Sequence, residues 1–315
     1  MMKKRNILIT AIGSFSADCA VRELKRAGHN VWGCDIYPSE WHAVSKELIG
    51  TYQVPLATDR DNYVEALLKV ANDNAIQYII PLTDVEIDTL NLNREAFVSK
   101  GITLCMPSKE TLAIARDKYA LYKMFKDDSI VPTVPTYKTG VDEIPNCIPC
   151  IAKPCNGRSS EGLRFIKESE ELDTVKSNEN YIVQKFIAGP ICTVDYVRDE
   201  AGNDYSVSRE ELLRTKNGAG TTVRTFRDEK LIELVSHIGA AINVVGTINM
   251  EFIKHENDYY LIDINPRFSA GVAFSVVAGY NMVLNHLNCH FGKKVDAGTI
   301  YHCGLLTKRY HEEKL

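Results

Sequence analysis

The 315-residue chain reads as an α/β protein: a parallel-sheet domain over residues 1–107, then a strand-rich α+β region over residues 108–315. Three observations predict this. The first hundred residues alternate short apolar runs with helix-period segments, the pattern of repeated βα units and a parallel sheet. Strand signals dominate after about residue 150. Pro107-Ser108 separates the two regions, and the chain is long for one compact domain.

In order, Asn6–Ile12 reads as a strand and Gly13-Ser-Phe-Ser16 as a turn. Ala17–Ala27 reads as a helix with Ala20, Val21, Leu24 and Ala27 apolar, closed by Gly28. Val31–Asp35 is a second strand, Asn62–Asp73 a helix, Gln77–Leu82 a buried strand, Asp84–Ser99 a helix and Gly101–Met106 a strand. The order predicts an open, doubly wound sheet. Ser108 and Asp117 are placed to cap two helices that run to Ala115 and Phe125. Val131-Pro-Thr-Val-Pro135 is an extended connector. Strands follow at Cys150–Lys153, Leu163–Ile166, Tyr181–Phe186, Thr193–Arg198 and Tyr205–Arg209. A helix at Asp228–Ile242 precedes strand-like runs around Glu251 and Asp263. Ala270–Phe291 is helical with Gly279 interrupting it.

Composition narrows the function. An apolar share of 45% and a charged share of 25% are ordinary for a soluble globular protein. A net charge of −4 supplies no basic field, so nucleic acid and acidic membrane surfaces are not expected partners. No run approaches the ~20 apolar residues of a membrane span. The start, Met1-Met-Lys-Lys-Arg5 before Ile7–Ile12, is short and is followed at once by Asp18, Arg22 and Glu23; it reads as a buried strand rather than a signal peptide. Nine cysteines scattered through apolar segments suit unpaired thiols in a reducing cytoplasm. Cys147-Ile-Pro-Cys150 has neither a second pair nor a nearby His, too few ligands for structural zinc.

The segment Leu261-Ile-Asp-Ile-Asn-Pro-Arg267 carries the chemistry. Asp263, Asn265 and Arg267 alternate along a strand and so share a face. Glu251 lies twelve residues earlier on another strand. Two carboxylates and an amide oxygen suit Mg²⁺, with Mn²⁺ as the alternative. Arg267 is suited to a planar anion. A plain hairpin with polar residues facing solvent is the competing reading, and other motifs decide between them. Lys153 sits on an apolar strand before a loop, Asn156–Gly162, whose Gly157, Ser159, Ser160 and Gly162 let backbone N–H groups approach phosphate. Lys118 starts a helix, and Gln184 and Lys185 end a strand. The first turn, Gly13-Ser-Phe-Ser-Ala17, lacks the glycines of a dinucleotide site even though Asp35 ends the second strand.

Together these elements resemble the ATP-grasp superfamily, and within it the carbamoyl-phosphate-synthase-like, carboxylate–amine ligase branch. The ordered set is Asp117-Lys118, Ile151-Ala-Lys153-Pro with its loop, Val183-Gln-Lys-Phe-Ile187, Thr193-Val-Asp195, Asn249-Met-Glu251 and Asp263-Ile-Asn265-Pro-Arg267. The first domain resembles the pre-ATP-grasp domain of those families, and the resemblance implies that an ATP-grasp fold of two α+β subdomains follows it, a nucleotide-binding one over about 108–187 and a metal and substrate one over about 188–315. The resemblance implies that Lys118 and Lys153 bind ATP phosphates and that Asn156, Gly157, Ser159, Ser160 and Gly162 form a lid. It implies that Gln184, Lys185, Phe186 and Ile187 surround adenine. Glu251, Asp263 and Asn265 would hold Mg²⁺, Arg267 would steady the acyl group, and Arg209 and Arg214 would face the transferred phosphate. Three features depart from the pattern: Ile191 stands where a ribose-binding Glu is usual, Asp263 where Glu is common, and the lid loop has fewer glycines than is usual. The implied activity is an ATP-dependent ligase joining a small carboxylate to an amine or thiol; a phosphotransferase and a non-catalytic nucleotide-binding module are the alternatives. A homodimer through Ala270–Phe291 competes with a buried core helix there.

Overall fold

The computed structural model describes residues 4–158, 161–310, 312 and 314. The chain forms three sheets. The first contains β1 (Asn6–Ile9), β2 (Asn30–Asp35), β3 (Thr51–Gln53), β4 (Tyr78–Ile80) and β5 (Thr103–Leu104), all parallel, in the order β3-β2-β1-β4-β5. The apolar Ile7, Leu8 and Ile9 of β1 occupy the centre and are fully buried. Helix α1 (Ala17–Arg26) covers one face; α2 (Arg60–Asp73) and α3 (Asp84–Leu92) pack into the core on the other. The long helix expected over Asp84–Ser99 is two, because α3 ends at Asn93 and α4 (Arg94–Val98) restarts there.

Two capped helices follow. Ser108 Oγ accepts from the Thr111 amide before α5 (Lys109–Ala115), and the Asp117 carboxylate accepts from the Tyr119 and Ala120 amides before α6 (Lys118–Phe125). Ala115, Leu121 and Phe125 join the core of the six-stranded sheet described below. The smallest sheet comprises β6 (Thr136–Lys138), β7 (Cys150–Pro154), β8 (Arg164–Ile166) and β9 (Tyr181–Lys185), antiparallel in the order β6-β9-β7-β8. With α7 (Ser169–Lys176) it has its own core of Cys150, Ala152, Ile166, Leu172, Val175 and Val183.

The third sheet is antiparallel: β10 (Ile191–Arg198), β11 (Asp204–Arg214), β12 (Gly220–Phe226), β13 (Gly246–His255), β14 (Asp258–Asn265) and β15 (Gly304–Thr307), in the order β14-β13-β10-β11-β12-β15. One face is apolar: Cys192, Val194, Tyr196, Met250, Phe252 and Ile264 pack against α8 (Glu229–Ala241). The helix offers Leu231, Leu234, Val235 and Ile238 at helical spacing, each at most 3% exposed, and each such burial stabilises by about 1.5–3 kcal/mol. The sequence signal for β11 stops at Arg209, yet the strand runs on to Arg214 because β12 pairs with it. The region expected to be one interrupted helix is α9 (Val272–Val277) and α10 (Met282–His290), parted at Gly279 with φ +110°. Met282, Val283 and Leu287 are fully buried against α1 and the first sheet, so α10 is a core helix rather than a partner surface. Among the described residues no helix is long and apolar enough to cross a membrane. None of the nine cysteines forms a disulfide, seven are buried, and among the described residues no group of three or more His, Cys, Asp or Glu side chains is gathered around a metal site at the Cys147–Cys150 pair.

Candidate active site

The polar face of the six-stranded sheet is the floor of the site. Strand register sets Asp263 opposite Glu251, Glu251 opposite Thr193, and Thr193 opposite Arg209, across four strands. The next row on that face is Asn265, Asn249 and Asp195. A β-bulge in β14 makes this possible. Phe252 pairs with Leu261 and Glu251 with Asp263, leaving Ile262 as the extra residue. Leu261 therefore turns into the core while Asp263 turns to the floor, and the Ile262 carbonyl accepts Lys153 Nζ at 3.1 Å.

Two cations pair with these acids, and two more lie beside the floor. Lys118 Nζ lies 3.0 Å from Asp263 Oδ1 and donates to the Gly157 carbonyl at 2.9 Å. Arg214 Nη2 reaches both oxygens of Glu251, at 3.2 and 3.3 Å, and its Nε donates to the Gly218 carbonyl. Burial pushes the Glu251 carboxyl up; Arg214 opposes this, while Asp263 and Glu211 add to it. Burial pushes the Lys153 ammonium down to about 8, with Lys118 adding and Asp263 opposing. Arg267 Nε and Nη2 both donate to Asp84 Oδ2, at 3.0 and 2.9 Å. Burial works to raise the Asp84 carboxyl, but Arg267 and then Arg116 outweigh it and hold it below the usual carboxylate range. The acids and cations of the site thus neutralise one another, and Arg267 ties the floor to the first domain.

Not every expected residue joins this cluster. Arg209, expected to face a transferred phosphate, is 2% exposed; Nη1 donates to Asp195, Nε to Glu211 and Nη2 to Ser269, at 2.8, 3.0 and 3.0 Å. It braces the floor, because three buried partners already occupy its planar fork. Gln184, expected as an adenine acceptor, is buried and its amide donates to Thr136 Oγ1 at 2.7 Å. Lys185 is exposed at the end of β9, Phe186 packs edge-on against Phe165, and Ile187 is half-buried. In the loop, Asn156 accepts from Asn180 and Gly162 takes φ +71°. Ser159 and Ser160 lie outside the described residues. Ile191, in the place of a ribose acid, begins β10 half-buried.

Two cavities meet at Phe15, Arg267 and Ala270. The smaller, about 260 Å³, has the acid floor; the larger, about 700 Å³, lies between the first domain and the floor. The larger cavity explains the lone glycine of the first turn. A Cβ at Gly13 would stand 2.7 Å from His42, whose imidazole lies 3.4 Å from Asp35. Asp35 is in turn held by the Gly13 and Tyr37 amides. Gly13 therefore makes room for a side-chain pair in the cavity wall. Sequence reasoning missed His42, Asp84, Thr193 and Glu211. Glu211 had one available signal, the continuation of strand alternation beyond Arg209.

The donor set fits Mg²⁺. Glu251 and Asp263 stand in register and Asn265 adds an amide oxygen in the next row. Mg²⁺ is held in this way, by one or two carboxylates plus phosphate oxygens and water.

Comparisons with known proteins agree with the geometry. A family model described as an ATP-grasp domain matches residues 115–271, and one described as a PylC-like N-terminal domain matches residues 7–105. The carbamoyl phosphate synthase large chain of Agathobacter rectalis is 24% identical over 214 residues, 60% of this chain and 20% of that protein. The chain thus spans about a fifth of the length of that relative. The biotin carboxylase domain of 2-oxoglutarate carboxylase from Hydrogenobacter thermophilus, solved with MgADP, ADP and bicarbonate, superposes with TM-score 0.79 at 19% identity, covering 96% of this chain and 74% of that one. The L-amino acid ligase of Bacillus licheniformis gives TM-score 0.70 at 15% identity, covering 92% and 75%. With its first sheet inside one family model, and with both lysines, the acid pair and Arg267 inside the other, the chain belongs to the ATP-grasp superfamily.

Proposed function

We propose that the chain is an ATP-dependent carboxylate–amine (or thiol) ligase that works through an acyl phosphate and releases ADP and phosphate. The observation that carries this reading is the junction at Arg267, where the cavity floored by Glu251 and Asp263, the latter paired with Lys118, opens into the larger one between domains. A nucleotide tail belongs in the first and an organic acid in the second.

The chemistry asks for position and charge control more than covalent participation. Lys118 and Lys153 would turn from Asp263 and the Ile262 carbonyl to the phosphates. Arg214 would leave Glu251 for the transferred phosphoryl group. Mg²⁺ held by Glu251, Asp263 and Asn265 would screen triphosphate charge and polarise the group in flight. Arg267 would offset the acyl carboxylate with the part of its fork not facing Asp84. Phosphorylation converts a carboxylate oxygen into a leaving group, and the loop over Asn156–Gly162 would keep water from the product. The fold likeness to an ADP-bound carboxylase domain and to an L-amino acid ligase supports nucleotide and carboxylate substrates of this kind.

The test is ADP release from Mg²⁺ and ATP, screened over pooled carboxylic acids with hydroxylamine as a trap. Hydroxamate formed together with ADP is the expected result. Release of AMP and pyrophosphate would overturn the reading. A stable phosphorylated acid that no nucleophile consumes would favour a phosphotransferase, and binding without turnover across the screen a non-catalytic module.

The low Lys153 value gives a second expectation. Lys153 is half neutral near pH 8 when free, and phosphate favours its charged form, so nucleotide binding takes up protons there. Affinity then falls as pH rises through 8, by about tenfold at one unit above, since one unit is 1.36 kcal/mol. Calorimetry of ADP binding in two buffers of different ionisation enthalpy measures the uptake. Equal heats at pH 8 would contradict it.

A further inference from the structure

Two buried polar atoms on the floor of the smaller cavity have no partner among the described residues: Glu211 Oε2 and Thr193 Oγ1. The Glu211 side chain is 3% exposed and Thr193 also 3%. Thr193 pairs across strands with Arg209, and Glu211 follows on the same face two residues along β11. The other Glu211 oxygen accepts Arg209 Nε at 3.0 Å. A buried carboxylate oxygen left unpaired is costly, and native structures rarely keep one without a use. The sequence also keeps this oxygen where it is. A Cβ at Gly220 would come within 1.9 Å of Oε2, so only glycine leaves this oxygen in place.

The charge of the surroundings selects the occupant. Arg209 is shared by two carboxylates, Asp195 and Glu211. Lys308 is influenced by both Arg209 and Glu211, but its ammonium donates to the Ala270 carbonyl. A thiolate or a second carboxylate would be repelled by Glu211. A divalent ion would face the Arg209 guanidinium with only one carboxylate oxygen free, whereas Glu251 and Asp263 supply two carboxylates nearby. A primary amine matches: one positive charge when protonated, and N–H donors for both orphan oxygens.

We propose that Glu211 and Thr193 seat the attacking primary amine of the ligase reaction, with Glu211 as its proton acceptor. This rests on the ligase reading and narrows its nucleophile from amine or thiol to amine. Glu211 Oε2 first takes a proton from the seated ammonium and passes it to solvent, which frees the nitrogen lone pair to form the C–N bond to the acyl carbon. The C–O bond to phosphate breaks, and its electron pair leaves with the phosphate. The surplus N–H proton passes to Glu211 Oε2 and from there to the departing phosphate or solvent.

The test compares wild type with Glu211→Gln, which keeps shape, and Gly220→Ala, which pushes a methyl group onto Oε2. The first arm needs no turnover. With Mg²⁺ and ADP bound, a pool of ammonium, methylamine, ethanolamine and glycine should raise the thermal midpoint of wild type and of neither variant, and 2-mercaptoethanol should raise none. The second arm uses an acid found by the hydroxamate screen. Hydroxylamine is uncharged at neutral pH and needs no proton acceptor to become a nucleophile, so Glu211→Gln should lose at least tenfold less of its hydroxamate formation than of its amine-dependent ADP release. Amine-dependent ADP release should fall about a hundredfold, the scale of a lost general base. Amines that stabilise all three proteins alike, or none, overturn the assignment. So does a Glu211→Gln that loses hydroxamate and amide formation equally, since Glu211 would then serve the phosphorylation step. Wild type that is stabilised by amines yet forms no hydroxamate with any acid sinks the ligase reading and leaves the amine seat standing.

Discussion

Asp263→Asn should reduce ATP-dependent ADP release by at least about 10²–10³-fold, the scale seen when one preorganised electrostatic contact to a transition state is removed. The change is nearly isosteric and acts on a side chain only 20% exposed. It removes half of the paired carboxylate set facing Glu251 and also releases Lys118, whose ammonium keeps only the Gly157 carbonyl. Both effects concern the nucleotide tail. The thermal midpoint should stay close to that of wild type, because the paired charge is partly solvated and such pairs contribute little to stability. Calorimetric titration of the free protein with Mg²⁺ and ADP gives a readout that needs no acid substrate, and its heat should vanish. A variant that turns over within tenfold of wild type would remove Asp263 from the metal site.

Arg209→Met should have the opposite profile, a large loss of stability before any effect on chemistry can be measured. The arginine is 2% exposed and serves Asp195, Glu211 and Ser269 at once. Asp195 is fully buried, and Ser275 and Asn249 also donate to it. Removing the cation strands two carboxylates away from water, and breaking a buried pair from one side costs about 3–5 kcal/mol. Arg209→Lys should recover little, since one ammonium cannot match the three directions of a planar fork. Denaturant midpoints of the three proteins settle this. A change below about 1 kcal/mol in Arg209→Met would show that the triad does not hold the sheet.

How far the sequence reaches can be judged from these two positions. Asp263 was legible because alternating polar residues on an apolar strand have few structural uses, and Glu251 and Asn265 followed with it. The bulge at Ile262 was not legible: period-two reasoning places Leu261 and Asp263 on one face, and only the pairing with β13 separates them. Arg209 faces the phosphate only in what the resemblance implies, and the expected strand ends there. Once β12 extends it, Glu211 falls on the same face and claims the guanidinium. The first sheet was legible from its apolar runs, including Ile7–Ile9 and Ile79–Ile80. Strands β12 and β15 were not: Gly220–Phe226 is rich in threonine and Gly304–Thr307 is mostly exposed, so pairing rather than burial defines them. His42 carries no pattern at all; its place follows from two short 3₁₀ turns on either side of it.

Residues of the first sheet and of α10 share a single hydrophobic cluster, whereas β7, β8, β9 and α7 enclose a small one of their own. Interiors packed at crystal-like density resist shear, so the wall holding Asp84 and the floor holding Glu251 travel as one anvil. Under the ligase reading, closing over a nucleotide would fall to this lightest part of the molecule, whose β7 carries Lys153.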